Sequence, residues 1–201
     1  MDLRRFPWVS LFLGLASVVF YFLAPNSLQD WLRADGTGQI IRWIFHPIIH
    51  NSLWHLIGNV IFGWPLVGTL VESWMMFSRR VRLAFLLYCY LVSLIISLIM
   101  WKAIVQVPLV GLSGMISAGL GLLLAYYFLF FNRISFHGLN AFAPVCIGFA
   151  LGFLVLSTLQ VIASPSEQIY PVTYHGIAFL ASLVLFLDLL KELRKGIQEA
   201  H

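Results

Sequence analysis

Charge is the first thing this chain has little of. Its 12 Lys and Arg and 8 Asp and Glu make up 10% of 201 residues, whereas a soluble domain carries roughly a quarter. Together with 61% hydrophobic residues and a mean hydropathy of +0.92, that scarcity excludes an ordinary soluble globular protein. Cysteine is nearly absent as well. Cys89 and Cys146 fall inside apolar runs, without the spacing of a disulfide scaffold, a metal site or a redox pair, so both read as small core residues. The formal charge of +4 is dispersed and no basic stripe with interleaved aromatics occurs, which excludes nucleic acid as a partner. No internal repeat relates the two halves, which argues against a transporter built from paired broken helices.

Apolar runs take up most of the length. They predict membrane spans at about 8–23, 51–71, 83–100, 110–131, 144–163 and 172–190, forming one all-α domain over 1–201. The first run follows Arg4 and Arg5 but is long and aromatic and lacks a small-residue cleavage site, so it reads as a span rather than a signal peptide. Residues 24–50 are polar yet amphipathic, with Asp30, Arg33 and Arg42 set among Trp31, Ile40 and Trp43; this loop belongs partly in the membrane interface. His55, Asn59, Trp64 and Pro65 interrupt the second span, and unpaired polar groups there cost roughly 1–3 kcal/mol each. They need partners or a purpose. Glu72 ends that span as a structural acceptor, and Arg79, Arg80 and Arg82 follow in a basic loop. Ser164 to Pro171, with two prolines, predicts a polar turn.

Six spans place both termini on one side. With the termini cytoplasmic, the inner segments hold Arg4, Arg5, Arg79, Arg80, Arg82, Arg133, Lys191, Arg194 and Lys195, leaving Arg33, Arg42 and Lys102 outside. That asymmetry supports a multi-pass protein of the cell membrane in this orientation. The same threading puts Ser113, at the start of the fourth span, and His175, near the start of the sixth, at similar depth close to the outer surface.

The fourth span is rich in small residues. Gly114, Ala118, Gly121 and Ala125 recur at three- and four-residue spacing and leave one helix face bare for close packing. Ser113 alone is as well explained by a hydroxyl bonded one turn back along the helix. His175 supplies a reason to read it otherwise, because Ala178 and Ser182 on its face let the sixth span approach the fourth. A serine hydroxyl becomes nucleophilic when a base within hydrogen-bond reach takes its proton, and imidazole titrates near neutrality. His55 and Asn59, four apart on one helical face, offer side-chain N–H donors for an oxyanion, and the turn from Gly111 to Ser113 offers backbone ones. His46 and His50 are also four apart and form half of a metal-ligand pattern, but no Asp, Glu or Cys completes it.

Taken in order, His46, His50, His55 and Asn59 leading into the second span, Gly68 and Glu72 at its end, Gly111-Leu112-Ser113-Gly114, and His175 on the last span resemble the rhomboid family of intramembrane serine proteases. The resemblance covers nearly the whole chain. It implies a six-helix bundle, Ser113 as nucleophile, His175 as general base without a carboxylate, and His55 and Asn59 assisting the oxyanion. Gly111, Gly114, His46, His50 and Glu72 then act as structural support, and no metal or cofactor is required. Expected substrates are single-span or otherwise membrane-anchored proteins met in the lipid bilayer. The alternative is an inactive relative that binds membrane clients without cutting them. The chain departs from the family pattern at Ser117, where a tyrosine often packs on the catalytic imidazole, and at Ala178 and Ser182, where a glycine pair is common.

Overall fold

The computed structural model describes residues 6–32, 40–75, 77–103, 111–130 and 165–199. Helices make up the regular structure among these residues, and no strand occurs in them. The fifth predicted span, 144–163, lies outside the described residues. Helix α1 (Trp8–Leu23) buries Ser10, Gly14 and Ser17 while exposing Leu11, Phe12, Leu15, Val19 and Phe22. Water would select the reverse. Small residues inward and large apolar ones outward is the pattern of a helix packed against neighbours and surrounded by lipid.

Among its described residues, the segment 24–50 contains two short helices, α2 (Asn26–Leu32) and α3 (Ile40–Phe45), followed by a single tight turn, His46–Ile48. Arg42 lies over the Trp31 ring, 5.3 Å from its centroid, which joins α2 to α3. The Tyr90 hydroxyl donates to the Ile44 carbonyl at 3.1 Å and ties α3 to a later helix.

Where the second span was expected at 51–71, a helical run extends from 53 to 74 in four pieces: α4 (Leu53–Ile57), a wide π turn (Gly58–Gly63), α5 (Trp64–Thr69) and a second wide turn (Leu70–Trp74). Ser52 caps the start by accepting from the His55 N–H. The first wide turn ends where the Trp64 N–H reaches back five residues to the Asn59 carbonyl, directly before Pro65, which has no N–H to give. Glu72 is buried at the far end. Its carboxylate accepts from the N–H groups of Val9 (3.1 Å) and Ser10 (2.9 Å) and from the Ser10 hydroxyl (2.9 Å), so it caps the first turn of α1. Trp64 Nε1–H donates to the Ser10 carbonyl at 2.8 Å, completing the joint.

Helix α6 (Arg79–Ala103) begins earlier than the expected 83, so Arg79, Arg80 and Arg82 form its first turn rather than a loop. Arg82 explains the difference. Its guanidinium folds back, buried, to donate to the carbonyls of Met75 (3.4 Å) and Phe77 (3.0 Å), which satisfies chain-end acceptors that a loop arginine would leave to water. Helix α7 (Ser113–Phe130) is buried over most of its length. Helices α6 and α7 are the two among the described residues that are long and apolar enough to cross a membrane. The last helix, α8 (Pro165–Glu199), starts seven residues before the expected 172 and corrects the loop reading over 165–171. Pro165 takes the first helical position, where its missing N–H has no intrahelical partner to lose, so a proline read as a turn signal opens a helix.

Helices α6, α7 and α8 share an apolar core with α5, in which Leu112, Leu122 and Leu190 are completely buried. At the end of α7 away from Ser113, the Phe77 ring meets Phe85, Tyr126 and Phe130 edge-on at centroid distances of 5.4–5.8 Å. Between α7 and α8 the backbones nearly touch. A Cβ on Gly121 would overlap the Phe179 carbonyl and stand 2.9 Å from the Leu183 nitrogen and 3.0 Å from Ser182 Cβ, and Ala178 and Ser182 are both fully buried.

Candidate active site

The site begins at Gly111. Its φ of +92° is one that side-chain-bearing residues rarely adopt, and it turns the chain into the first turn of α7. The Gly111 N–H donates to the His46 carbonyl at 2.8 Å, fastening this turn to the His46–Ile48 segment. A Cβ here would also stand 2.8 Å from Asn59 Nδ2 and 2.9 Å from the His55 ring. Both side chains from the helical run therefore lie directly against the backbone that leads to Ser113.

Ser113 is the first residue of α7 and is buried. Its Oγ lies 2.7 Å from Nε2 of His175, which is half-buried on α8. The Ser113 carbonyl accepts the Ser117 hydroxyl at 2.9 Å. That hydroxyl is thereby turned along its own helix.

Around the mouth, hydrogen bonds fix the amide and imidazole orientations. His50 Nδ1 faces the Ile48 carbonyl at 3.2 Å and so carries the proton, leaving Nε2 to accept from Asn59 Nδ2 at 3.2 Å. Asn59 keeps a second N–H on the same nitrogen. The His50 and His55 rings meet edge-on, 5.1 Å between centroids. His46 stands behind them, completely buried, with Nδ1–H donating to the Trp43 carbonyl. Burial pushes the pKa of His46 down to about 4. Burial, and then repulsion from His55, does the same for His50 against the opposing hydrogen bond to Ile48. Both rings are neutral at pH 7.

The structure thus brings Ser113, His175, His55, Asn59 and Gly111 together and sets His50 one contact away. His46 serves through its backbone carbonyl, and Glu72 belongs to the α1 joint. No group of three or more His, Cys, Asp or Glu that could hold a metal ion occurs among the described residues. Asp188, on the same helix as His175, is exposed and paired with Lys191 at 3.5 Å near the other end of that helix.

One residue escaped the sequence reading. Tyr174 is buried beside His175, and its hydroxyl meets the Ser93 Oγ at 2.8 Å and the Ser97 Oγ at 3.0 Å on α6. Gly114 makes room for this contact, since a Cβ there would overlap the Tyr174 and Ser93 hydroxyls. Ser93 and Ser97, four apart on one helix face, call for a polar partner without saying which residue supplies it.

The Rhomboid domain profile matches residues 37–187, three quarters of the chain, and the chain belongs to the rhomboid family. The family is membrane-embedded and includes intramembrane serine proteases. A comparison with curated proteins gives no match.

Proposed function

We propose that this protein is an intramembrane serine endopeptidase that cuts single-span or membrane-anchored proteins near the outer face of the cell membrane. The observation that carries the reading is the 2.7 Å contact between Ser113 Oγ and His175 Nε2. Neutral imidazole at that distance accepts the hydroxyl proton as Oγ attacks the scissile carbonyl. The tetrahedral oxyanion is met by the backbone N–H at the Gly111 to Ser113 turn and by donors from His55 and Asn59. His175 then returns the proton to the leaving amine, the peptide bond breaks, and an acyl-Ser113 ester remains. Water, deprotonated by the same imidazole, hydrolyses that ester and regenerates Ser113. The domain is one six-span unit over 1–201 with both termini cytoplasmic, a topology supported by the distribution of Lys and Arg.

The test is activity of the purified chain in detergent against a panel of single-span substrates, with Ser113→Ala and His175→Ala. Each substitution should reduce cleavage more than about a thousandfold, without additivity in the double variant. Retained cleavage by Ser113→Ala would sink the mechanism. A wild-type chain that neither cleaves nor reacts with a fluorophosphonate would instead mark a client-binding relative.

A further inference from the structure

We infer that Tyr174 is a positioning residue for the general base, held by a hydroxyl clasp from α6; the inference rests on the reading of Ser113 and His175 given above. Tyr174 precedes His175 by one residue, so its side chain leaves α8 about 100° around the axis from the imidazole. Fixing one direction fixes the other. The tyrosine hydroxyl sits between two serines of a different helix, at 2.8 and 3.0 Å, and Ser97 is itself aimed by donating to the Ser93 carbonyl at 2.7 Å. Ser93 and Ser97 are completely buried, so water does not compete for these bonds.

Two further features make the clasp consequential. Pro171 cannot donate the helical hydrogen bond at its own position, so the first turns of α8 are held by one backbone bond fewer. Ser117 hydrogen-bonds along α7, so this position sends no ring to the imidazole. The Tyr174 ring itself lies 5.2 Å from that of His175, centroid to centroid. Gly114, directly after the nucleophile, is the residue that lets the Tyr174 and Ser93 hydroxyls meet. The clasp thus joins the Ser113 helix, the His175 helix and α6 at one point.

The test uses the full chain in detergent and the rate constant for labelling of Ser113 by a fluorescent fluorophosphonate, beside kcat and KM for a single-span substrate. Labelling amplitude reports the folded fraction, while the rate constant reports dyad geometry. Tyr174→Phe, which removes only the hydroxyl, should slow labelling and lower kcat by roughly tenfold to a hundredfold with KM little changed, the scale of a small misplacement of a reacting group. The Ser93→Ala, Ser97→Ala double variant, which leaves the ring intact, should show the same loss, and adding Tyr174→Phe to it should cost little more. A merely structural role predicts lower amplitude with unchanged rate constant in both variants, and that result overturns the inference. If the wild-type chain itself fails to label, the nucleophile reading falls first and this one with it. If it labels and Tyr174→Phe labels equally fast, only the clasp is wrong.

Discussion

On the proposed mechanism, Asn59→Ala tests one side chain's share of oxyanion stabilisation. In the resting site Asn59 Nδ2 gives one hydrogen to His50 Nε2 at 3.2 Å and lies against Gly111, two residues before Ser113. If Asn59 donates to the oxyanion as proposed, removing the amide should delete one donor, worth about 3 to 4 kcal/mol in the transition state, or roughly a hundredfold to a thousandfold in kcat. It also leaves the His50 acceptor without Asn59, a ground-state loss on the order of 1 kcal/mol that appears in stability and not in rate. The two effects separate cleanly. Steady-state cleavage of a single-span substrate should show a fall in kcat with KM little changed, smaller than the fall in Ser113→Ala because backbone donors remain. A metal role predicts another outcome, with activity abolished by a chelator and restored by zinc, and His46 and His50 as sensitive as His55. Full kcat in both Asn59→Ala and His55→Ala would refute the side-chain role and leave the pair as packing residues.

Two stability predictions accompany it. Glu72→Ala exposes the three donors at the start of α1 to an apolar surrounding, so the unfolding free energy should fall by about 2–5 kcal/mol, while the labelling rate constant of molecules that remain folded stays unchanged; a slowed rate constant would tie Glu72 to the site. The buried rings of His46 and His50 titrate near 4 in the fold against 6.5 for the free side chain. The unfolded chain therefore binds more protons between these values, and stability is intact above about pH 6.5 and lost progressively toward pH 4, on the order of 3 kcal/mol for each ring. Thermal melts from pH 7 to 4 should show that decline, and a flat profile would contradict the burial of these rings.

Much of the site was legible because its groups are rare in apolar sequence. A serine preceding a run of small residues, a histidine on a small-residue face and a His-Asn pair four apart stand out where charge is so scarce, and the expected threading of the spans put the first two of these at one depth. Tyr174 was not legible, since an aromatic residue in a span looks like core until its hydroxyl is seen meeting another helix. Its serines lie some 80 residues away in the chain, and no local periodicity reports such a contact. The helix starts at Arg79 and Pro165 were hidden for a different reason. Proline is punctuation in loops and an equally good first helical residue, while a basic residue is disfavoured in a first turn and Arg82 is held there by tertiary partners, the Met75 and Phe77 carbonyls.

The wide turn at Gly58–Gly63 changes how distance along the chain translates into direction. Asn59 meets Gly111, Gly63 faces Ile116 and Val67 faces Gly119, so three residues spaced four apart all point to α7 and its approach. In a regular helix the eight steps from Asn59 to Val67 overshoot two full turns by about 80°. With one residue absorbed in the wide turn, they close to within about 20°. The chain therefore carries a seam where its length can change by one residue, a regular turn replacing the wide one, while His55 above and Val67 below keep their bearings. Loss of one residue from the middle of α7 has no such remedy: it would swing everything beyond the deletion by about 100° relative to Ser113.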